Sequence, residues 1–124
     1  MYAAALLLAL SLTNAAPATK TVTSADNGKT ITIAKHQALH IGLGECGSCG
    51  YSWKTTVKPD AKVLKRRAVL HTDPTCQAPC TGGSYTKVFR YEGKAAGRTK
   101  IRLEYFGPGK SKSSNTFRLT VRVR

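Results

Sequence analysis

The chain has 124 residues, of which 20 are Lys or Arg, 6 are Asp or Glu and 4 are Cys. This length is enough for one domain with one core. The formal net charge is +14, which excludes a protein with an acidic, cation-binding surface. A field of this sign attracts polyanions and repels other copies of the same chain. We therefore expect a monomer whose possible partners include acidic polymers or surfaces, unless the basic residues only face solvent.

The first eighteen residues differ from the rest of the chain. Ala3 to Leu12 is apolar, small residues follow as far as Ala18, and no charged residue precedes Lys20. This pattern predicts a secretory signal peptide over residues 1–18, cleaved after Ala15 or Ala18. The apolar run is too short to span a bilayer. We expect a secreted protein, extracellular or periplasmic, with a mature domain over 19–124 and no stable membrane insertion.

The four cysteines form two closely spaced pairs, Cys46 with Cys49 and Cys76 with Cys80. An even number of cysteines in a secreted chain predicts two disulfides. Four cysteines permit three connectivities, and the spacing alone does not choose among them.

Strand patterns with a period of two run through the mature chain, and no stretch shows a convincing helical period. In chain order the predicted strands are 19–23 at an edge, 30–33, 37–43, 51–57, 63–70, 85–91, 98–106 and 117–123. In the strand over 85–91, the face with Tyr85, Lys87, Phe89 and Tyr91 is expected to point into the core. The sequence therefore predicts an all-β, immunoglobulin-like β-sandwich of about seven strands.

Successive strand reversals place three loops, 44–50, 71–84 and 107–115, at the same end of this sandwich. The first loop is rich in glycine, which is used where a backbone needs positive φ or a close neighbour. Binding residues concentrate on such positioned loops of rigid β scaffolds. Trp53, directly after the first loop, is expected in the core, because large aromatic residues dominate sandwich cores.

The loop sequences resemble those of a known family. Gly50-Tyr51-Ser52-Trp53 follows the first loop, Gly82-Gly83 lies in the second, and the strands contain Ile101-Arg102-Leu103-Glu104-Tyr105 and Phe117-Arg118-Leu119-Thr120-Val121. In this order and spacing, the chain resembles the chagasin-type inhibitors of papain-like cysteine proteases from about Lys29 to Val123.

The resemblance implies a secreted inhibitor whose three loops fill the active-site cleft of a papain-like cysteine protease without covalent chemistry. It also implies which residues would contact the protease. They are Gly47, Ser48, Cys49, Gly50, Tyr51, Trp53, Thr81, Gly82, Gly83, Phe106, Gly107 and Pro108.

Two loops depart from the family pattern. Cys46-Gly47-Ser48-Cys49 stands where the family has Asn-Pro-Thr-Thr, and Phe106-Gly107-Pro108 stands where it has Arg-Pro-Trp. In the family arrangement the first loop lies beside the Gly-Gly loop. From this neighbourhood we expect crossed disulfides, in which Cys46 and Cys49 each pair with Cys76 or Cys80.

The sequence also permits other functions. A basic, non-inhibitory binding module on the same scaffold would recognise an acidic surface or polymer. The four cysteines resemble a zinc site, although their unequal spacing and the signal peptide argue against one. A redox enzyme using Cys46 and Cys49 would need a βαβ pattern, which is missing. The three histidines are scattered, and no catalytic carboxylate pair is recognisable. We therefore expect no enzymatic activity, no cofactor and no metal.

Overall fold

The computed structural model describes residues 17–72 and 84–124. Most of the predicted signal peptide and most of the second loop lie outside these ranges, so both predictions stay predictions. The described residues contain nine strands and one short 3-10 turn, Ser24–Asp26. The strands are β1 (Lys20–Val22), β2 (Thr30–Ile33), β3 (Ala38–Cys46), β4 (Ser52–Val57), β5 (Leu64–Arg66), β6 (Leu70–Thr72), β7 (Ser84–Gly93), β8 (Gly97–Phe106) and β9 (Asn115–Val123).

The strands form two sheets packed face to face. In the first sheet the order is β1-β3-β7-β5, and β6 also pairs with β7. In the second sheet the order is β2-β9-β8-β4. The β1–β3 and β2–β9 pairs are parallel, and every other pair is antiparallel. This all-β sandwich confirms the predicted fold class.

Alternation along the long strands decides which side chains enter the core. In β3, Leu39, Ile41 and Leu43 are buried, and the residues between them are partly exposed. In β7, Phe89 and Tyr91 are buried, so the aromatic face of this strand does point inward as predicted. The second sheet contributes Ile101 and Leu103 from β8, together with Phe117, Leu119, Val121 and Val123 from β9.

The predicted strand over 63–70 is wrong in one respect, because it is two strands rather than one. Arg66 pairs with Tyr91, whereas Leu70 pairs with Val88, so β7 has one residue fewer than its partner over this stretch. The extra residue interrupts the ladder in the manner of a bulge. The interruption is bridged by side-chain and backbone bonds, and the Arg90 Nε donates to the Ala68 oxygen at 2.9 Å. This split turns the eight ranges predicted from the sequence into the nine strands of the structure.

Among the described residues, no helix is long and apolar enough to cross a membrane.

Candidate functional site

Three connections lie at one end of the sandwich. Cys46, the last residue of β3, pairs with Ser84, the first residue of β7. At the same end Ser52, the first residue of β4, pairs with Phe106, the last of β8. The first loop (47–51), the third loop (107–114) and the flanks of the second loop therefore meet there, as the strand reversals predicted.

The first loop is a tight turn closed by a disulfide between Cys46 and Cys49, whose Cα atoms are 5.3 Å apart. The Cys49 and Tyr51 backbone N–H groups both donate to the Cys46 oxygen, at 3.2 and 3.1 Å. Gly50 has a φ of 82°, in the left-handed region that glycine enters without strain. The backbone bonds and the cross-link together fix the shape of this loop.

The expectation of crossed disulfides is wrong for this loop. The turn itself brings Cys49 back within the Cα separation that a disulfide requires, so Cys46 takes the partner three residues away. Cys49 is still a disulfide sulfur rather than a free thiol, as expected. Because Cys46 and Cys49 are joined, they do not supply thiolates to a metal. Cys76 and Cys80 lie outside the described residues.

The first and third loops pack against each other through two glycines. A Cβ atom built on Gly107 would lie 2.9 Å from a ring carbon of Tyr51, and one built on Gly50 would lie 3.1 Å from Pro108. Cβ atoms rarely come this close to another atom, so each glycine leaves room for a ring of the other loop. The two loops therefore form one packed body.

Aromatic rings support the two packed loops on the side that faces the core of the sandwich. The Tyr51 ring stacks on Tyr105 with centroids 5.1 Å apart, and Trp53 lies 4.8 Å from the same ring. The Tyr105 hydroxyl accepts a hydrogen bond from the Cys46 backbone N–H at 2.8 Å, and Trp53 Nε1 donates to the Gly44 oxygen at 2.8 Å. Trp53 is therefore a buried support for the loops, in agreement with its predicted place in the core.

Glu45 is a buried carboxylate directly before the first loop. It accepts hydrogen bonds from the Trp53 backbone N–H at 2.7 Å and from the Tyr85 hydroxyl, and it lies 3.7 Å from the Lys87 ammonium. Lys87 also donates to the Trp53 oxygen at 2.7 Å. The side chains of Glu45 and Lys87 are only 2% and 15% exposed. This buried pair holds the start of β4 and, through Tyr85, the start of β7.

Tyr85 also contacts the first loop directly. A Cβ atom built on Gly47 would lie 2.6 Å from the Tyr85 ring. The rings of His71 and Tyr85 pack in a T-shaped arrangement with their centroids 4.9 Å apart. The first loop is thus enclosed by Tyr85 on one side and by Pro108 on the other.

Sequence reasoning missed Glu45, and it did not give Lys87 or Tyr85 a role at the site. A signal for them was present: Glu45 continues the inward-facing row of Leu39, Ile41 and Leu43, and Lys87 interrupts an aromatic row. Charges of opposite sign on the inward faces of two strands, both near the same loop end, indicate a buried ion pair.

Titration of the Tyr85 hydroxyl reports on the cluster formed by Glu45, Lys87 and Tyr85. Its hydrogen bond to Glu45, with a further contribution from burial, raises the pKa of Tyr85 above its ordinary value. Because the raised pKa belongs to the folded state, the stabilisation is complete below a pH of about 10 and is lost as the pH rises through the raised pKa. In a tyrosinate absorbance titration we expect Tyr85→Phe to remove a late-titrating group and Glu45→Gln to shift that group to lower pH.

Tyr91 provides the internal control for this titration, because burial raises its pKa as well and neither substitution touches it. If Tyr85→Phe removes a tyrosine that titrates near pH 10 and leaves the late part of the titration unchanged, the assignment is contradicted.

The third loop is tied to the end of β8. The Ser114 backbone N–H donates to the Tyr105 oxygen at 2.8 Å, and the Ser113 hydroxyl donates to Glu104 at 2.8 Å. Hydrogen bonds from Thr56 and then from Ser113 lower the pKa of Glu104, which keeps this carboxylate ionised. The carboxyl-terminal end of the loop is therefore held against the last residues of β8.

The structure brings most of the predicted contact residues together. Exposed at the loop end are Ser48, Cys49, Gly50 and Pro108, and Gly47, Tyr51 and Phe106 are partly exposed beside them. Gly107 and Trp53 are buried beneath this surface and act as supports. Thr81, Gly82 and Gly83 lie outside the described residues. Within the described ranges, no group of three or more His, Cys, Asp or Glu residues is arranged to hold a metal ion.

Comparisons with known proteins relate this site to a family. The profile of the chagasin family peptidase inhibitors, family I42, matches residues 32–121, whereas no curated protein sequence matches the chain. The cysteine protease inhibitor EhICP2 from Entamoeba histolytica has a TM-score of 0.75 at 17% identity, with 86% of this chain and 96% of that chain covered.

Two further solved structures share the fold. Amebosin has a TM-score of 0.69 at 27% identity, with 86% of this chain and 98% of that chain covered. PbICP-C, solved in complex with falcipain-2, has a TM-score of 0.56 at 20% identity, with 93% and 98% covered. The profile match spans both sheets and two of the loops described above. The chain therefore belongs to the chagasin family of peptidase inhibitors.

Proposed function

We propose that this protein is a secreted, monomeric inhibitor of papain-like cysteine proteases that blocks the active-site cleft with its loop end. The observation that carries the proposal is the packing of the first and third loops into one body, with Ser48, Cys49 and Pro108 exposed at its tip. The family is one of peptidase inhibitors rather than enzymes. EhICP2 is a cysteine protease inhibitor, and PbICP-C was solved bound to falcipain-2, which supports the same target class here.

Rigid loops favour occlusion as the mechanism. A loop that is already in its bound shape loses little conformational entropy when it binds. The Cys46–Cys49 disulfide and the backbone bonds within the turn supply this rigidity. Cys49 is oxidised, so the residue at the tip offers no thiol nucleophile, and blocking the cleft requires no bond to the protease.

The third loop predicts a limit to affinity. It presents Pro108 where the family pattern has a tryptophan, and large aromatic anchors carry much of the energy of an interface. We expect Pro108→Trp to tighten papain inhibition by roughly tenfold, about 1.4 kcal/mol. Gly109 is less suitable for tryptophan, because its φ of 68° strains any residue with a Cβ. Pro108→Ala is the control, and equal inhibition constants for the two variants would place the third loop outside the interface.

The proposed export rests on the apolar run Ala3 to Leu12 and the small residues that follow it. Sequencing the amino terminus of protein recovered outside the cell checks it. We expect a start between Ala16 and Thr19, and a start at Met1 would contradict export by signal cleavage.

The direct test of the function is the hydrolysis of a peptide substrate by papain in the presence of the purified protein at physiological salt. Competitive inhibition without cleavage of the inhibitor is expected. Binding to papain that leaves hydrolysis unchanged would instead indicate a non-inhibitory binding module.

A further inference from the structure

The outward face of the second sheet concentrates positive charge. On neighbouring strands Arg98 lies directly opposite Arg122, and Arg102 lies opposite Arg118, with Lys100 between the two arginines of β8. Like charges placed directly opposite each other destabilise a sheet. This arrangement therefore works against the fold and calls for another explanation. We call the following set the basic face: Lys54, Arg98, Lys100, Arg102, Arg118 and Arg122.

The basic face is hardly neutralised by the protein itself. Among the four strands of this sheet, Glu104 is the single acidic residue. Glu104 lies 3.7 Å from Arg102 and pairs across the strands with Lys54. Within the described residues, Arg102 is the one member of the basic face that forms an ion pair, and the other five form none. Most of the positive charge of this surface is thus available to an anionic partner outside the chain.

A groove of about 380 Å³ lies within the basic face, and the residues that line it are Lys100, Arg102 and Arg118 together with Gly28, Val57, Ile101, Leu119 and Thr120. The buried Nε atom of Arg102 makes no hydrogen bond with any described residue and lies 3.7 Å from a carboxylate oxygen of Glu104. An oxyanion bound in the groove would face three cationic side chains.

The remaining outward residues indicate which kind of polyanion fits. They are largely threonines, namely Thr30, Thr32, Thr116 and Thr120, and the partly exposed ring of Phe106 lies at the loop end beside Lys54. Single-stranded nucleic acids need aromatic stacking platforms, and membrane surfaces need an apolar face to insert. The basic face offers neither, whereas hydroxyls and cations suit the hydroxyls and acidic groups of sugars.

The spacing of the cations also favours a linear ligand. Arg98, Lys100 and Arg102 occupy every second position of β8, so the Cα atoms of neighbouring members are roughly 6.6 Å apart along the strand. Guanidinium groups bind planar or tetrahedral oxyanions in bidentate fashion. We propose that the basic face binds a linear acidic polysaccharide through its carboxylate or sulfate groups, with the groove as the central subsite. This surface adjoins the loop end only at Lys54, whose ammonium lies 5.8 Å from the centroid of the Phe106 ring.

The test compares two triple variants that lose the same number of charges. The first variant, Lys100→Gln/Arg118→Gln/Arg122→Gln, removes cations of the basic face. The control variant, Lys35→Gln/Lys62→Gln/Lys94→Gln, removes exposed lysines from the β2–β3, β4–β5 and β7–β8 connections, at the end of the sandwich opposite the three loops. The probes are heparin, which carries sulfates, and polygalacturonate, which carries only carboxylates. Binding is measured by calorimetry from about 0.05 to 0.3 M salt, where counterion release makes affinity depend on the number of ionic contacts.

We expect the basic-face variant to bind at least one of the two polysaccharides about tenfold or more weakly, with a shallower salt dependence, whereas the control variant changes by less than about threefold. The probe that binds tells sulfate from carboxylate recognition. Papain inhibition is expected to be the same in both variants, so the outcome does not depend on the proposed protease target.

Equal losses in the two variants would overturn the proposal, because they would show attraction by net charge alone. It would also be overturned if neither polysaccharide bound at 0.05 M salt, or if duplex DNA or phosphatidylserine vesicles bound more tightly than both polysaccharides with the same dependence on the basic face.

Discussion

Replacing Glu45 by alanine is expected to lower the free energy of unfolding by about 3–5 kcal/mol, the usual result of removing one partner from a buried ion pair. The substitution leaves the Lys87 ammonium nearly buried without its carboxylate, since that side chain is 15% exposed. It also removes the acceptor of the Trp53 backbone N–H. Urea unfolding measures the loss of stability. Weaker papain inhibition should accompany it, because the first loop loses the contacts that support it.

A double substitution separates the charge effect from a simple loss of packing. Replacing a buried pair by apolar residues of similar size is often nearly neutral. Glu45→Leu/Lys87→Leu should therefore recover more than half of the stability that Glu45→Ala loses, although the Trp53 backbone groups remain without these partners. If Glu45→Ala costs less than about 1 kcal/mol, the cluster does not support the loops as described.

The second large effect is expected for Gly107→Val. A side chain at this buried position would collide with the Tyr51 ring, because even a Cβ would lie 2.9 Å from it. Overpacking of this kind costs about 1–3 kcal/mol, and the exposed loops have more freedom to yield than the sheets. We expect the two loops to separate and papain inhibition to weaken by roughly 5- to 150-fold, as measured by the inhibition constant.

Gly44→Ala is the matched control for Gly107→Val. Gly44 lies in β3, and a Cβ built on it would have no atom within 4 Å. This variant should inhibit like the wild-type protein. Comparable losses for both variants would mean that any glycine substitution near the loops disturbs inhibition, and that the Gly107–Tyr51 contact has no special part in it.

The strand periodicity predicted the fold because each long strand has one apolar face. Leu39, Ile41 and Leu43 repeat at every second residue, and so do Leu119, Val121 and Val123. The break between β5 and β6 was not predictable in this way. It depends on an extra residue relative to β7, and a single sequence does not show which residues lie opposite each other.

The site was predictable only in outline. Loop positions follow from counting reversals, but the contacts between loops depend on which ring meets which glycine. The disulfide shows the difference: neighbouring loops made crossed bridges plausible, yet the hydrogen-bonded turn from Cys46 to Tyr51 decides for the local one. The resemblance supplied the protease-binding residues, while the Glu45–Lys87 pair beneath them became evident only when the strands were placed in register.

The most direct test of the account is whether occupation of the papain cleft and binding of this protein exclude each other. Papain is first labelled with a bulky, covalent peptidyl inhibitor, and its affinity for the protein is compared with that of free papain by calorimetry. We expect free papain to bind with a Kd of about 1 µM or tighter and labelled papain to bind at least 100-fold more weakly. Equal affinity for free and labelled papain would contradict occlusion of the cleft, because the loop end would then contact the protease elsewhere.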